Sequence, residues 1–151
     1  MKVVIGCDNA AVSLKNIIIT LLQKQSISYE DVGCYSEEDP SYYPLVAQKV
    51  CKKIIESNYD KRGILICGTG IGMCMTANKF KGIRAAVCHD IFSTERSILS
   101  NNSNVLCLGE RVIGAELAKC MVSHWLTLTF KDGSSTPKVQ AIIDIEKENF
   151  R

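Results

Sequence analysis

The sequence predicts an α/β fold, a Rossmann-like three-layer αβα sandwich around a central, mainly parallel sheet of about five strands. Two observations carry this expectation. Short apolar runs rich in β-branched residues alternate with amphipathic stretches from one end of the chain to the other. Parallel strands need crossover connections, and the intervening helices supply them, so the strands are buried on both faces and read as continuous apolar runs.

Taken in order, Lys2–Gly6 is a β-branched strand, and Leu14, Ile17, Ile18, Leu21 and Leu22 then return one apolar face at helical spacing. Tyr29–Gly33 reads as a second strand. The Pro40–Pro44 segment is a loop feeding a helix with Val46, Val50 and Ile54 inward. Arg62–Cys67 holds the compact run Gly63-Ile64-Leu65-Ile66, Gly68–Gly72 punctuates, and Met73–Asn78 begins a helix before the strand Arg84–Cys88. Thr94–Ser100 is helical and Asn104–Leu108 a strand, followed by a helix over Ala115–Leu126 with Leu117, Cys120, Met121 and Trp125 inward. Lys131–Pro137 is polar and turn-rich, and a last helix, Val139–Glu148, carries Val139, Ile142, Ile143 and Ile145.

At 151 residues the chain suits one domain, since domains run to ~100–200 residues. Residues 1–151 are therefore read as one unit, with 131–151 as a C-terminal arm and helix that either docks locally or crosses to a second subunit. A net charge of +2 gives no electrostatic footprint for nucleic acid. The longest apolar run, Ile64–Met75, is broken by glycines and too short for a bilayer span of ~20 residues, so neither membrane insertion nor export is expected, and the setting is cytoplasmic. Eight cysteines are many, but their spacings lack the Cys-x-x-Cys pairs of zinc or redox sites, and Cys51, Cys88, Cys107 and Cys120 lie in apolar runs as small buried hydrophobes. His124 reads as a helix-face residue, and two histidines without a carboxylate pair give no metal signature.

In a parallel α/β sheet ligands sit beyond the carboxyl ends of the strands, which singles out three turns: Gly6-Cys7-Asp8-Asn9, Cys67-Gly68-Thr69-Gly70-Ile71-Gly72 and His89-Asp90. The second has three glycines in five residues after Cys67, so its N–H groups can converge on an anion. It is not a Walker loop, because no Gly-Lys-Ser/Thr follows, and its form is Gly-x-Gly-x-Gly. A thiol at the strand end gives the turn a base or nucleophile whose pKa such N–H groups lower. A nucleotide-binding module is the rival reading, disfavoured because Arg84–His89, where an acidic ribose-binding residue belongs, is apolar or basic.

Seven stretches, in order over nearly the whole chain, resemble the type B ribose-5-phosphate isomerases and their galactose-6-phosphate isomerase relatives. They are Gly6-Cys7-Asp8, Tyr43-Pro44, Ile66–Gly72, Ala77-Asn78-Lys79, Gly82-Ile83-Arg84-Ala85, Ser100–Leu106 and Leu108–Gly114. The resemblance implies a sugar-phosphate isomerase that moves a proton between C1 and C2 through an enediolate, without metal or organic cofactor. It implies Cys67 as the general base, Thr69 as an aid to proton movement between the two oxygens, and the N–H groups of Gly68, Gly70, Ile71 and Gly72 as donors to the enediolate oxygen. Asp8 and Tyr43 match positions that touch the sugar, Asn101 one that contributes to the same pocket, and Arg111 a basic position near the phosphate. It also implies a homodimer or homotetramer with shared active sites. Read from the residues alone, Asp8 is equally a helix cap, Tyr43 a packed loop aromatic and Arg111 a surface ion-pair partner.

The chain departs from the family pattern at four places. Asn9 stands where a phosphate-contacting histidine is usual, and Ser100 where the family has a histidine credited with opening the sugar ring. Ser134 and Lys138 stand in place of two arginines that clamp the phosphate. Arginine grips a phosphate bidentately, whereas lysine is a point charge. Three readings follow. In the first the chain is an active sugar-phosphate isomerase, with Lys138, Arg111 and Lys131 or Arg151 restoring charge and His89 supplying ring opening. In the second it isomerises a different or unphosphorylated sugar, hydrogen-bonded by Asn9 and Ser134. In the third it is a non-catalytic relative that binds a ligand.

Overall fold

The computed structural model describes residues 1–150. Among them are five strands, β1 (Lys2–Cys7), β2 (Ser28–Asp31), β3 (Lys61–Cys67), β4 (Ala85–Val87) and β5 (Val105–Gly109). The helices are α1 (Val12–Lys24), α2 (Tyr43–Glu56), α3 (Ile71–Ala77), α4 (Ile91–Leu99), α5 (Ala115–Thr127) and α6 (Thr136–Asn149), with one 3-10 turn at Asn9–Ala11. The strands form one sheet in the order β2-β1-β3-β5-β4, and every pairing is parallel. α2 and α3 cover one face; α1 covers the other with α5 and α4 beside it. The expected three-layer α/β architecture is what the chain adopts.

The apolar runs become the inner strands for the reason their composition suggests. Ile64, Leu65 and Ile66 of β3 and Val105 to Leu108 of β5 have no exposed surface, because both faces of the sheet are covered by helices. From β1 the chain steps to β2 on one side and then returns past β1 to β3 on the other. The order therefore reverses between β1 and β3, and the carboxyl ends of these two strands flank a switch-point crevice.

One helix face differs from expectation. In α5 the buried residues are Ala118, Met121, Val122, Trp125 and Leu126, whereas Leu117 and Cys120 face outward. Ala118 begins an i, i+3, i+4, i+7 stripe through Met121, Val122 and Trp125, and that stripe, not one starting at Leu117, is the wider apolar face. The C-terminal arm docks on its own chain: Val139 is buried, and Glu146 Oε1 accepts the Gly82 N–H at 2.8 Å. Ile142 and Ile145 of α6 line an apolar cleft of about 540 Å³ with Ile83 and Ala85 beside β4.

Trp125 is fully buried, with the Arg62 guanidinium 4.3 Å from its ring centroid. Arg62 also donates to the carbonyls of Trp125 and Leu128 at the C-terminal end of α5, where carbonyls run short of intrahelical donors. The indole Nε1 finds no acceptor among the described residues. The indole thus contributes through packing and not through its N–H. Trp125→Phe is expected to cost only ~1 kcal/mol, whereas Trp125→Ala should cost ~3–5 kcal/mol; urea unfolding of the two variants measures the difference.

Candidate active site at the β1/β3 crevice

Cys67 is the last residue of β3, 5% exposed, and its Sγ accepts the Gly70 N–H at 3.0 Å. Gly70 has φ +77°, and a Cβ there would stand 2.9 Å from the Leu108 carbonyl carbon. The turn therefore lies flush on the end of β5, in a left-handed conformation that glycine tolerates best. Its far side is as close: a Cβ on Gly109 would come within 2.8 Å of the Thr69 backbone. The Glu110 and Arg111 N–H groups donate to the carbonyls of Cys67 and Gly68 at 2.9 and 3.1 Å, stitching the β5 end to the turn. Thr69 is exposed, and its Oγ1 accepts the Ile71 N–H at 3.3 Å. Because α3 is only seven residues long, the turn's own amides carry the attraction for negative charge more than a helix dipole does.

Around this turn the structure gathers three of the side chains singled out from sequence. Asp8 follows β1 directly and caps the 3-10 turn, Oδ1 accepting the Ala10 N–H at 3.0 Å, so the capping role is real. Burial pushes the Asp8 carboxyl above the usual carboxylate range, while the Ala10 N–H and the Arg111 guanidinium pull it down. Arg111 lays its side chain beside Gly68, with Nη1 3.5 Å from where a Cβ would be. Tyr43 opens α2, and its ring occupies the space a side chain at position 72 would need, 2.5 Å from an ideal Cβ on Gly72. Ile71, at the start of α3, is exposed, and Asn9, beside Asp8, donates from Nδ2 to the Glu37 carbonyl at 3.3 Å.

Two candidates stand elsewhere. Asn101 precedes β5 and so lies at the amino ends of the parallel strands, a strand length of ~15 Å or more from the turn. Lys138 lies in the first turn of α6, just after Ser134 and Ser135, which share a pocket with Lys131, Arg96 and Leu99 at the C-terminal end of α4. Within one chain neither reaches Cys67. Arg151 is outside the described residues. His124, on α5, places Nε2 3.1 Å from Glu95 of α4.

His89 follows β4, one strand beyond β5. Its Nε2 accepts the Gly109 N–H at 2.9 Å, so that nitrogen is committed to holding the β5 end and only Nδ1 is left for other chemistry. Burial lowers the His89 pKa, with Asp90 acting in the opposite direction. Neither Lys15, which is fully buried on α1 and bonded to Asp31, nor Cys74 stands out in the sequence. The Cys74 thiol is drawn down to about 7, chiefly by its hydrogen bond with Cys107.

Two outcomes follow from this geometry. Gly70→Ala forces a Cβ against Leu108 in a left-handed conformation and should lower stability by ~1–2 kcal/mol, read from urea unfolding. A histidine held neutral by the fold gains its proton more readily when unfolded, so the stability it contributes is complete above the ordinary imidazole pKa of ~6.5 and is lost as pH falls through the folded value. His89→Gln keeps an acceptor for Gly109 without a titrating ring. Wild type is expected to lose more stability than this variant between about pH 7.5 and about pH 5, measured by urea midpoints.

Comparison with known proteins supplies the kinship of this site. The Ribose/Galactose Isomerase family profile matches residues 3–142. Ribose-5-P isomerase B of Listeria innocua is 44% identical over 149 residues, covering 99% of both chains. D-erythrulose-4-phosphate isomerase of Pectobacterium atrosepticum is 46% identical over 142 residues, covering 94% of this chain and 93% of that one. Among solved structures, Clostridium thermocellum ribose-5-phosphate isomerase B superposes with a TM-score of 0.93 at 40% identity, covering 99% of each chain. With its parallel sheet, its Cys67 turn and matches that run its full length, the chain belongs to the ribose/galactose isomerase family.

Proposed function

We propose that this protein is an aldose-ketose isomerase of small sugar phosphates, interconverting ribose 5-phosphate and ribulose 5-phosphate with Cys67 as the base. The observation that carries this reading is the Cys67 sulfur at the carboxyl end of β3, beneath the Gly70 N–H and beside a turn of glycine amides. As thiolate, Cys67 takes the proton from C2 of the open-chain aldose and returns it to C1 of the enediolate. Carbon oxidation states exchange within the substrate, so the step needs no external oxidant or reductant and no cofactor. The amides of Gly68, Ile71 and Gly72 donate to the oxygen that gains charge, each such donor being worth ~3 kcal/mol in other enzymes, while the Gly70 N–H holds the Cys67 sulfur. Thr69 Oγ1 carries the hydroxyl proton from one oxygen to the other. Asp8, Asn9 and Tyr43 grip the sugar hydroxyls, and Arg111 faces the substrate's negative charge.

Asn101 and Lys138 enter this reading through a second copy of the chain. A two-fold pairing that sets the amino ends of one sheet's strands against the carboxyl ends of its partner's gives two identical sites, each with Asn101 and Lys138 opposite Cys67. The exposed Ile142 and Ile145 beside the β4 cleft are apolar surface of the kind such an interface covers.

A second substrate reading has its own support. A four-carbon aldose phosphorylated on O4 has no hydroxyl left to close a furanose ring, so it needs no residue for ring opening. This chain has Ser100 where the family has a ring-opening histidine, and it is 46% identical to a D-erythrulose-4-phosphate isomerase. Steady-state turnover of ribose 5-phosphate and erythrose 4-phosphate, each with wild type and Cys67→Ala, tests both readings. The expected result is turnover that falls ~10²–10⁴-fold in Cys67→Ala. A kcat/KM for erythrose 4-phosphate more than about tenfold above that for ribose 5-phosphate assigns the site to the acyclic substrate. No turnover of either, with unphosphorylated sugars tried beside them, overturns the isomerase assignment.

A further inference from the structure

Lys15 lies on the inward face of α1 with no exposed surface, flanked along that face by Leu14, Ile18 and Leu22. All three of its N–H donors are used. Nζ stands 2.8 Å from both Asp31 oxygens and 2.7 Å from the Cys34 carbonyl oxygen, with the Tyr35 ring centroid 4.6 Å away. A methionine there would fill similar space without the cost of burying a charge, and buried ion pairs of this kind are often replaceable by apolar residues without loss of stability. The cation is therefore a poor device for stability alone.

The contacts of Lys15 lead to the crevice. Asp31 Oδ1 also accepts the Gly33 N–H at 2.9 Å. The next backbone groups reach β1 at its carboxyl end: the Cys7 N–H donates to the Gly33 carbonyl at 2.6 Å, and the Cys34 N–H donates to the Cys7 carbonyl. Cys7 immediately precedes Asp8. The loop that leaves Cys34 is touched by Asn9 at the Glu37 carbonyl and ends at Tyr43, whose ring covers Gly72. Lys15 thus anchors the start of a segment whose two ends adjoin Asp8 and the Cys67 turn.

We infer that Lys15 is a positioning residue for substrate binding: its ammonium ties Asp31 and the Cys34 carbonyl into one rigid corner, and that corner sets where Asp8 and Tyr43 stand against the Cys67 turn. Its effect on turnover rests on the isomerase reading above, whereas its effect on the loop does not.

Two variants separate positioning from bulk stability. Lys15→Met with Asp31→Asn removes both charges, keeps an acceptor for the Gly33 N–H and breaks the tether to Cys34. Asp31→Asn alone loses the ion pair but keeps the bond from Lys15 to Cys34. Hydrogen exchange and sugar-phosphate kinetics are measured on both beside wild type. In the double variant, exchange at Gly33 and Cys34 is expected to quicken at least ~10-fold while β3 and β5 amides keep their rates. Its KM should rise ~10-fold with kcat within ~3-fold, because the displaced groups hold substrate and do not move its protons. Asp31→Asn alone is expected to keep KM within ~3-fold even where it unfolds at lower urea. Unchanged exchange at Gly33 and Cys34, or a rise shared equally by β3 and β5, overturns the tether. Faster loop exchange with unchanged KM overturns its link to the site. Absence of turnover in wild type sinks the isomerase reading and leaves exchange to decide the tether.

Discussion

The candidate site depends on the fit between the Thr69 backbone and the bare Cα of Gly109. The contact exists only because β3 and β5 are adjacent and in a register that pairs Cys67 with Gly109. From it follow the left-handed Gly70, the inward aim of the Gly70 N–H at Cys67 Sγ, and the exposure of Thr69 on the rim. His89 reinforces it from the other side by holding the Gly109 N–H, a donor that a strand end would otherwise leave to solvent. The turn is rigid through its neighbours: on one side the main chain of β5, on the other the ring of Tyr43 over Gly72. That arrangement suits a site whose donors must already point at a charge before the charge develops.

Burial sorts the cysteines by the same physics. It pushes Cys7 and Cys51 up to about 12 and Cys88 up to about 11, and it raises the fully enclosed Cys107 as well, so these thiols stay protonated and inert. The Cys74 thiol is drawn the other way by Cys107 and the Asn78 amide at its sulfur. Cys67 Sγ accepts the Gly70 N–H. Of these two, Cys67 is the one that stands at a strand end within the switch-point crevice. Its place there comes from topology as much as from residue type.

The layers and the strands were legible in the sequence because strand and helix periodicities alternate without interruption and the glycines fall between them. What misled was local. A lysine in an amphipathic helix reads as solvent-facing, and nothing in the spacing around Lys15 shows that Asp31, sixteen residues on, will meet it across a strand. On α5 Met121 and Trp125 face inward as expected, but Leu117 and Cys120 do not, because they are as apolar as the Ala118 and Val122 that the fold buries in their place. At the candidate site, Cys67, Thr69 and Asp8 stand out because they end or follow a strand and the carboxyl ends converge, whereas Arg111 was marked only by its likeness to a family position. Asn101 follows a helix and precedes β5, which in a parallel sheet assigns it to the opposite end. That signal was present in the order of elements and independent of any motif.

The two ends of the sheet also divide the chain's departures from its family. Cys67, Thr69 and the glycines, the groups proposed to move protons and hold the developing charge, keep the family pattern, and of the altered positions only Asn9 is beside them. Ser100, Ser134 and Lys138 fall at the other end, with Asn101, around the start of β5 and of α6. On the reading proposed here, that end belongs to the partner's site and faces the ring oxygen and the phosphate, not the reacting carbons. A change confined to groups that hold remote parts of a substrate alters which substrate is gripped before it alters the step that is catalysed. Variation of this kind points to a retained proton transfer and a shifted substrate, and relatives named for ribose and for erythrulose phosphates at 44% and 46% identity are the spread it would produce.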